Sequence, residues 1–375
     1  MEIITDFFQG TGNILLYYIL PFVVVLGVMI FFHELGHFLV AKYFNVKVLQ
    51  FALGFGPKIV AREYGETEYS VRYIPLGGFV KMLGEDLEEE NAEKLSPEDE
   101  KRAFHNQHAL KRIAIVAAGP VFNLFLALFL FCGMYIISGD TITTAEVGKV
   151  LEDTPASRAG LKEGDVIVSL DGQAVKKWDD IRVLIKDKAG VQIPITVKRL
   201  GEVVSLNITP VEAKTTNEFG EEINAVQIGI GSAYKTEKVE LNPVQAVVEG
   251  CKYTWMWIRL TCLVVVKLFE GVVSVKTLGG PIMIGQITGE IVQENVGYLI
   301  PFMGIISINL GILNLFPIPI LDGGVILFLI IELIMGRPLS LKKREMAQRI
   351  GFSLLIALMI LVFYNDILRM FRPTP

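Results

Sequence analysis

Long apolar runs alternate with charged segments along this chain. Residues 14–32 carry no charge, residues 113–139 form a second charge-free run, and between Val296 and Ile331 only Asp322 is charged. A fourth, mostly apolar run covers about 350–368. A run of about 20 apolar residues is long enough for a helix to cross a bilayer. The pattern therefore predicts four membrane-spanning helices, the first extending to about Tyr43.

Two segments between these runs have the patterns of β structure. Residues 45–82 alternate short apolar runs with Gly and Pro, which predicts a small sheet of β-hairpins (46–51, 58–64, 68–74 and 79–82). Residues 145–211 are soluble in composition and also alternate, which predicts an inserted globular domain. Residues 85–102 are dense in charge and are expected to form a solvated loop or short helix.

The distribution of Lys and Arg predicts the orientation. None occurs before Lys42, and a basic cluster follows at 337–344. Because Lys and Arg favour cytoplasmic loops, both termini should lie outside and residues 337–344 inside. This orientation holds only if the charged, hydrophobic stretch 242–275, which contains Trp255 and Trp257, lies along the outer interface as an amphipathic helix.

The predicted fold is a multi-pass α-helical membrane protein of four spans, with a small membrane-associated sheet and an inserted extracytoplasmic domain. Its segments are the first span (1–44), a cytoplasmic β-hairpin region with a charged loop (45–111), the second span (112–139), the inserted domain (140–213), an extracytoplasmic linker with the interfacial helix (214–295), the third span (296–336), and a basic cytoplasmic loop with the fourth span (337–375).

Composition agrees with a membrane protein. Of 375 residues 52% are hydrophobic, and the mean hydropathy is +0.49. The three cysteines have no CxxC spacing and predict no disulfide framework. No cleavable signal peptide is evident at the N-terminus, so the first span is expected to be an anchor. The lipid bilayer is the expected partner, and nucleic acid is not.

The first apolar run ends in an HExxH pattern. Helical residues at i and i+4 share a face about 6 Å apart along the axis, so His33 and His37 can both bind one Zn²⁺. Glu34 beside them can act as general base on a water, as in metalloproteases. A chance match is the alternative. Two histidines and a glutamate in an apolar span are costly without a partner, and a metal is the simplest one.

Catalytic zinc sites usually have three protein ligands, and Asp322 is the candidate for the third. It is the only charge in its apolar run, and an ionisable residue within the membrane indicates function. Pro317 and Pro319 interrupt a regular helix just before it, which allows the carboxylate to turn inward. A helix break that exposes Asp322 to water is the alternative.

These motifs resemble the site-2 protease family of intramembrane zinc metalloproteases, in its bacterial regulator-of-sigma-E branch. The paired motifs are His33-Glu34-x-x-His37 and the N-x-x-P-x-P-x-L-D-G segment 314–323. Further similarity lies at 54–57, 74–82 and 119–123 and in residues 154–172, which closely resemble PDZ domains of bacterial envelope proteases. Only one such domain fits between the spans.

The resemblance implies a zinc endopeptidase of the bacterial cytoplasmic (inner) membrane. Its substrates would be transmembrane segments of membrane proteins, after a first extracytoplasmic cleavage; a trimmed membrane-bound anti-sigma factor or signal-peptide remnants are examples. His33, His37 and Asp322 would bind the metal, and Glu34 would be the catalytic base. The PDZ segment would restrict which substrates enter, or would only pack or bind partners.

Substrate contacts are expected at three places. A protease must hold an unwound helix by its peptide groups, and an exposed strand edge can supply hydrogen bonds. Tyr69, Val71 and Tyr73 lie on the run that we expect to form this edge, although an ordinary hairpin is the alternative. Asn123 could contact substrate or the motif backbone, or serve helix packing. Asn314 could donate to substrate or the developing oxyanion, or cap the broken helix.

Two other functions remain open from the sequence. A metal-ion transporter would also have broken helices and a midplane carboxylate, but it would be expected to show inverted repeats, and none is evident. A PDZ-bearing scaffold with structural zinc would not need a glutamate at position 34. Zinc content and cleavage of a reporter transmembrane helix, in the wild type and in Glu34→Gln, separate all three.

Overall fold

The computed structural model describes residues 13–85 and 95–371. Both termini, which are predicted to lie outside the membrane, fall beyond these ranges (Glu2 and Thr374 among them), as does half of the predicted charged loop, residues 86–94. The chain divides into two compact units. The first comprises Met1–Met134 and Val248–Pro375, and the second comprises Tyr135–Val247.

Ten α-helices are described. They are α1 (Leu20–Tyr43), α2 (Pro97–Arg102), α3 (Ala109–Ser138), α4 (Pro155–Ala159), α5 (Trp178–Ile185), α6 (Pro243–Phe269), α7 (Pro281–Glu294), α8 (Leu299–Asn314), α9 (Asp322–Met335) and α10 (Leu341–Phe371). A π-helical turn, Leu15–Ile19, precedes α1.

Four helical stretches among the described residues are long and apolar enough to cross a membrane: Leu15–Tyr43, Ala109–Ser138, Val296–Asn314 and Leu341–Phe371. The predicted fold class is confirmed. The third predicted span consists of two helices, because the chain breaks between Asn314 and Asp322. The expected interruption by Pro317 and Pro319 is confirmed, since both prolines fall in this break.

The small sheet consists of two long, bent strands, β1 (Val48–Tyr64) and β2 (Thr67–Met82). Gly54, Gly56 and Gly77 have positive φ, a conformation that glycine adopts without strain. At Gly54 and Gly77 a side chain would also collide, with the carbonyl of Ile74 and with the ring of Phe55 respectively. These bends divide each strand into two limbs, so the four predicted runs exist but are joined in pairs.

The order of the limbs corrects the predicted edge. Phe51 pairs with Val80 on one side and with Tyr69 on the other, and Tyr69 pairs in turn with Arg62. The limb that contains Tyr69 and Val71 is therefore interior and not an edge. The sheet ends at limb 78–82 on one side and at limb 58–64 on the other. Register across a folded strand is set by non-local pairing, which the local alternation did not reveal.

The second unit contains the ten remaining strands. They are β3 (Asp140–Thr143), β4 (Val147–Val150), β5 (Val166–Leu170), β6 (Gln173–Ala174), β7 (Ile193–Arg199), β8 (Glu202–Ile208), β9 (Val211–Thr216), β10 (Glu222–Gln227), β11 (Ile230–Ser232) and β12 (Thr236–Val239). The largest sheet has the order β6-β5-β7-β8. Its core includes Ile167, Leu170 and Ile195. The unit extends past the predicted domain end at residue 213, because β11 pairs with β4 and β12 with β3.

Helix α6 covers most of the stretch expected to lie along the outer interface. Trp255 is 67% exposed. Trp257 instead packs with Tyr253 against a core cluster of α3 and α8, and the Thr261 hydroxyl donates a 2.8 Å hydrogen bond to the Asn309 side-chain oxygen of α8. One face of α6 is thus packed against two spans, and of its two tryptophans Trp255 is the exposed one.

Candidate metal centre and its cavity

The two histidines of the HExxH pattern lie one turn apart on α1. The ring centroids of His33 and His37 are 4.9 Å apart, and their Nε2 atoms are 3.3 Å apart. Residues Leu20–Tyr43 form one continuous α-helix, so the i, i+4 spacing of the two histidines is kept. The two imidazoles present adjacent nitrogens to one point.

Asp322, the first residue of α9, meets these nitrogens from the other end of the chain. Its Oδ2 lies 3.2 Å from His33 Nε2, and its Oδ1 lies 3.7 Å from His37 Nε2. Ligand atoms from the three residues all lie within 4.8 Å of one another. The structure therefore brings together the three ligands expected from the sequence.

The turn before Asp322 depends on glycine. A side chain at Gly323 would lie 2.2 Å from the carbonyl oxygen of Leu315, and one at Gly324 would lie 2.2 Å from that of Ile318. Because L side chains cannot approach backbone so closely, the Asp-Gly-Gly sequence lets the start of α9 pack against the break. This packing fixes the Asp322 carboxylate at the helix N-terminus.

The donor set fits a zinc ion. Two imidazole nitrogens and one carboxylate are typical ligands of catalytic zinc, which keeps its fourth position for water. Asp322 Oδ2 is buried and accepts no hydrogen bond within the described part of the chain. A buried, unsatisfied carboxylate oxygen is costly unless a cation binds it. The residues present therefore suit a divalent metal.

The second nitrogen of each histidine also has a contact on α3. His37 Nδ1 lies 2.9 Å from the carbonyl oxygen of Ile115, to which it can only donate. His37 Nε2 then carries the lone pair that a metal needs. His33 Nδ1 lies 3.3 Å from the side-chain amide of Asn123. Asn123 was expected to contact substrate, the motif backbone or another helix, and its side chain is fully buried against His33.

Gly119 on α3 makes room for the histidine pair. A methyl group there would lie 2.2 Å from His37 Nε2 and 2.9 Å from His33 Cε1. Gly36 on α1 provides a similar close approach, since a methyl group there would lie 2.4 Å from the Ala118 carbonyl oxygen. The steric role of Gly119 depends on a contact between two helices, which sequence spacing does not show.

A cavity of about 1200 Å³ opens onto the metal centre. Glu34 lines it together with the three candidate ligands, and limb 78–82 forms one wall. Gly78 lies close to the base, since a methyl group there would come 2.9 Å from Glu34 Cγ. Helices α9 and α10 contribute further lining residues, which are Val325, Phe328, Leu329, Arg344, Glu345, Gln348, Arg349 and Phe352.

The residues predicted to contact substrate do not line this cavity, although Asn123 lies beside His33. Tyr69, Val71, Tyr73, Asn123 and Asn314 are not among the described residues that line the cavity. Val71 and Tyr73 are exposed, and Asn314, the last residue of α8, is half-buried. The strand edge that faces the metal centre is instead limb 78–82.

An ion cluster joins three helices at the cavity wall. The Arg112 guanidinium of α3 donates to Glu332 of α9, and Arg344 of α10 donates to the other oxygen of Glu332 at 3.3 Å. Arg112 is almost fully buried, with its side chain 8% exposed. Buried ion pairs of this kind are costly to break by removing one partner, so this cluster holds α9 and α10 against α3.

Comparison with known proteins gives one consistent family. The sequence matches peptidase family M50 over residues 21–358. It is 34% identical to "Putative zinc metalloprotease Atu1380" of Agrobacterium fabrum, covering 93% of this chain and 95% of that one. It is 32% identical to the regulator of sigma-E protease RseP of Salmonella typhimurium, covering 95% and 99% of the two chains.

A likeness to a solved structure covers a smaller part of the chain. It is to the PDZ domain of the SdrC-like protein Lmo2051 from Listeria monocytogenes, with 25% identity and a TM-score of 0.20. This likeness extends over 24% of this chain and 88% of that chain.

Proposed function

Because this chain belongs to peptidase family M50, as a zinc metalloendopeptidase of the site-2 protease type, we propose that it cleaves transmembrane segments of other membrane proteins. One observation carries the proposal. The groups of His33, His37 and Asp322 converge within 4.8 Å, and both histidines belong to a helix apolar enough to cross a membrane. A hydrolytic centre on a membrane-spanning helix is suited to cleaving peptide bonds inside the bilayer.

In this proposal His33, His37 and Asp322 hold the zinc ion. The chemistry that bound zinc supplies is a lowered pKa for a water molecule and polarisation of the scissile carbonyl. Glu34 takes the proton from that water and returns it to the leaving amine. Its neighbouring histidine and its position on the cavity wall support this role.

The substrate binds in extended form along limb 78–82. A transmembrane helix satisfies its peptide groups internally, so unwinding it requires replacement hydrogen bonds. Limb 78–82 pairs with residues 48–53 on one side and lines the cavity on the other. A substrate strand added to this outer edge would lie beside Glu34. Asn314, at the end of α8, can donate to the substrate backbone or oxyanion, or cap the helix break.

The membrane is the bacterial cytoplasmic membrane, with both termini outside. The absence of Lys and Arg before Lys42 and the basic cluster 337–344 support this orientation. The substrates are membrane proteins that a first extracytoplasmic cleavage has already shortened, such as a trimmed anti-sigma factor or signal-peptide remnants. The inserted domain then excludes substrates that still carry a bulky outer domain.

The decisive experiment compares zinc content with cleavage of a reporter transmembrane helix by purified protein. Glu34→Gln should keep its zinc and lose cleavage. His33→Ala and Asp322→Ala should lose both. His108→Ala is the control, because the side chain of this exposed histidine accepts only from the nearby Leu110 amide among the described hydrogen bonds, and the variant should keep both properties. Cleavage by Glu34→Gln at the wild-type rate would contradict the general-base role.

A further inference from the structure

Helices α3 and α6 touch backbone to backbone at one point. A methyl group at Gly250 of α6 would lie 2.6 Å from Cys132 Sγ and 2.9 Å from the Cα atom of Cys132 in α3. Only glycine permits such an approach. It places the backbone of Gly250 directly against that of Cys132, and the Cα atoms of a disulfide need to be only roughly 4–7 Å apart.

The residue after this glycine is a cysteine. The thiol of Cys251 is in hydrogen-bonding contact with that of Cys132. Cys251 is exposed, whereas Cys132 is partly buried, and both are present as thiols. The sequence gives no reason to expect the pair, because 132 and 251 are far apart along the chain and belong to no cysteine motif.

We propose that Cys132 and Cys251 form a disulfide on the extracytoplasmic side of the membrane. Cys132 lies six residues before the end of α3, the end that the charge distribution assigns to the outside. Disulfides form and persist in such oxidising compartments. Formation of this disulfide requires neither zinc nor the proteolytic chemistry proposed above.

The oxidant is a protein or peptide that itself carries a disulfide. The exposed Cys251 thiolate attacks one sulfur of that disulfide, and the oxidant's second sulfur leaves as a thiolate. The Cys132 thiolate then attacks the Cys251 sulfur of the mixed disulfide, and the oxidant departs fully reduced. Two protein thiols are oxidised, their protons pass to the oxidant's two sulfurs, and one disulfide is reduced.

The bond would tie α6 to the helix that supports the metal centre. Gly119 and Asn123, which contact the two histidines, lie on the same α3 as Cys132. The closed loop contains the whole of the second unit, residues 135–247. A long loop closed by a disulfide restricts the unfolded chain strongly. We therefore expect the oxidised protein to unfold at a higher temperature than the reduced protein.

The test uses the full-length protein in detergent micelles, treated with oxidised glutathione or with dithiothreitol. Iodoacetamide then blocks the remaining thiols before digestion and mass spectrometry. The oxidised sample should yield a peptide pair linked through Cys132 and Cys251, while Cys262, exposed on the same helix, should be alkylated or glutathionylated. Alkylation of Cys132 and Cys251 in the oxidised sample would overturn the proposal, as would their separate glutathionylation.

A thermal measurement provides a second readout with a matched variant. Reduction should lower the unfolding midpoint by several degrees in the wild type and in Cys262→Ser. It should not move the midpoint of Cys132→Ser or Cys251→Ser. An equal effect of reduction on all four proteins would contradict the bond. Neither readout involves zinc or proteolysis, and the mass measurement needs no variant, so a poorly folding mutant does not affect it.

Discussion

The amide of Asn123 and Nδ1 of His33 are 3.3 Å apart, and Asn123 Oδ1 is buried without a hydrogen-bond partner among the described residues. Turning the amide by 180° lets Oδ1 accept from the Nδ1–H of His33. His33 Nε2 is then free for a metal. Asn123 is in this arrangement a positioning residue for His33.

Removing the Asn123 side chain should weaken metal binding. A residue that holds the second ring nitrogen of a metal-binding histidine typically contributes about 10–100-fold to metal affinity. Asn123→Ala should therefore lose its zinc at a chelator concentration about 10–100-fold lower than the wild type requires. Asn123→Asp, which can still accept from Nδ1–H, should recover part of the loss. The control is Asn309→Ala, since Asn309 pairs with Thr261. Equal zinc affinity in Asn123→Ala and wild type would rule out the positioning role.

A methyl group at Gly119 should displace the histidines. In Gly119→Ala the new Cβ would lie 2.2 Å from His37 Nε2, so the ligands must shift or the α1–α3 contact must open. We expect zinc content to fall sharply and cleavage to be lost. Gly133→Ala is the matched control on the same helix, because nothing lies within 4 Å of its added methyl group. The two variants are compared by metal analysis and reporter cleavage.

Proline on limb 78–82 should block substrate binding at one of two neighbouring positions. Alternate backbone amides of an edge strand point to the paired strand and to open space. Of Val80→Pro and Lys81→Pro, the variant that loses the cavity-facing amide should lower reporter cleavage at least tenfold at unchanged zinc content. Ile59→Pro and Val60→Pro, on the opposite edge, test for general damage. Strand addition at limb 78–82 is wrong if both substitutions there leave cleavage intact.

Acid should weaken the ion pairs through which Glu66, in the turn between β1 and β2, binds Lys42 of α1 and Arg102 of α2. Glu66 accepts two 2.7 Å hydrogen bonds from Arg102 and one of 2.6 Å from Lys42. Chiefly because of Arg102, the pKa of Glu66 falls from an ordinary 4.5 to about 2. A lowered carboxylate pKa stabilises the fold above the unfolded pKa, and this contribution is lost as the pH falls through the folded pKa.

The measurement is thermal unfolding of wild type and Glu66→Gln between pH 7 and pH 2. At pH 7 the variant should be less stable by on the order of 1 kcal/mol, since the partly exposed pair is screened by solvent. The difference should shrink as the pH falls from 4.5 towards 2. Glu63→Gln, at an exposed position on the same hairpin, should show no such trend. A constant difference at all pH values would exclude Glu66 as its source.

The convergence of His33, His37 and Asp322 was predictable because the sequence signals for these residues are local. His33 and His37 have helical spacing in an apolar run, and Asp322 follows two prolines in another apolar run. Each signal can be read without knowing which helices touch. Because catalytic zinc usually has three protein ligands, the two histidines and Asp322 were expected to lie close together.

The misplaced strand edge and the contacts that were missed depend on non-local packing. Tyr69 alternates like an edge residue, yet the bends at Gly54 and Gly77 place limbs on both sides of it. The contact of Asn123 with His33 and that of Cys132 with Cys251 join different helices. Alternation and spacing describe one element at a time, so they carry no information about such pairs.

The proposed zinc ligands are translated at very different times. His33 and His37 are made near the start, and Asp322 follows only after roughly 285 further residues. At about 5–20 residues per second, translation of that distance takes about 15–60 s. During this time the nascent chain holds two histidines and Glu34 but lacks the carboxylate that completes the site. Until Asp322 is made, the nascent chain therefore lacks the proposed zinc site and, with it, the proposed proteolytic activity.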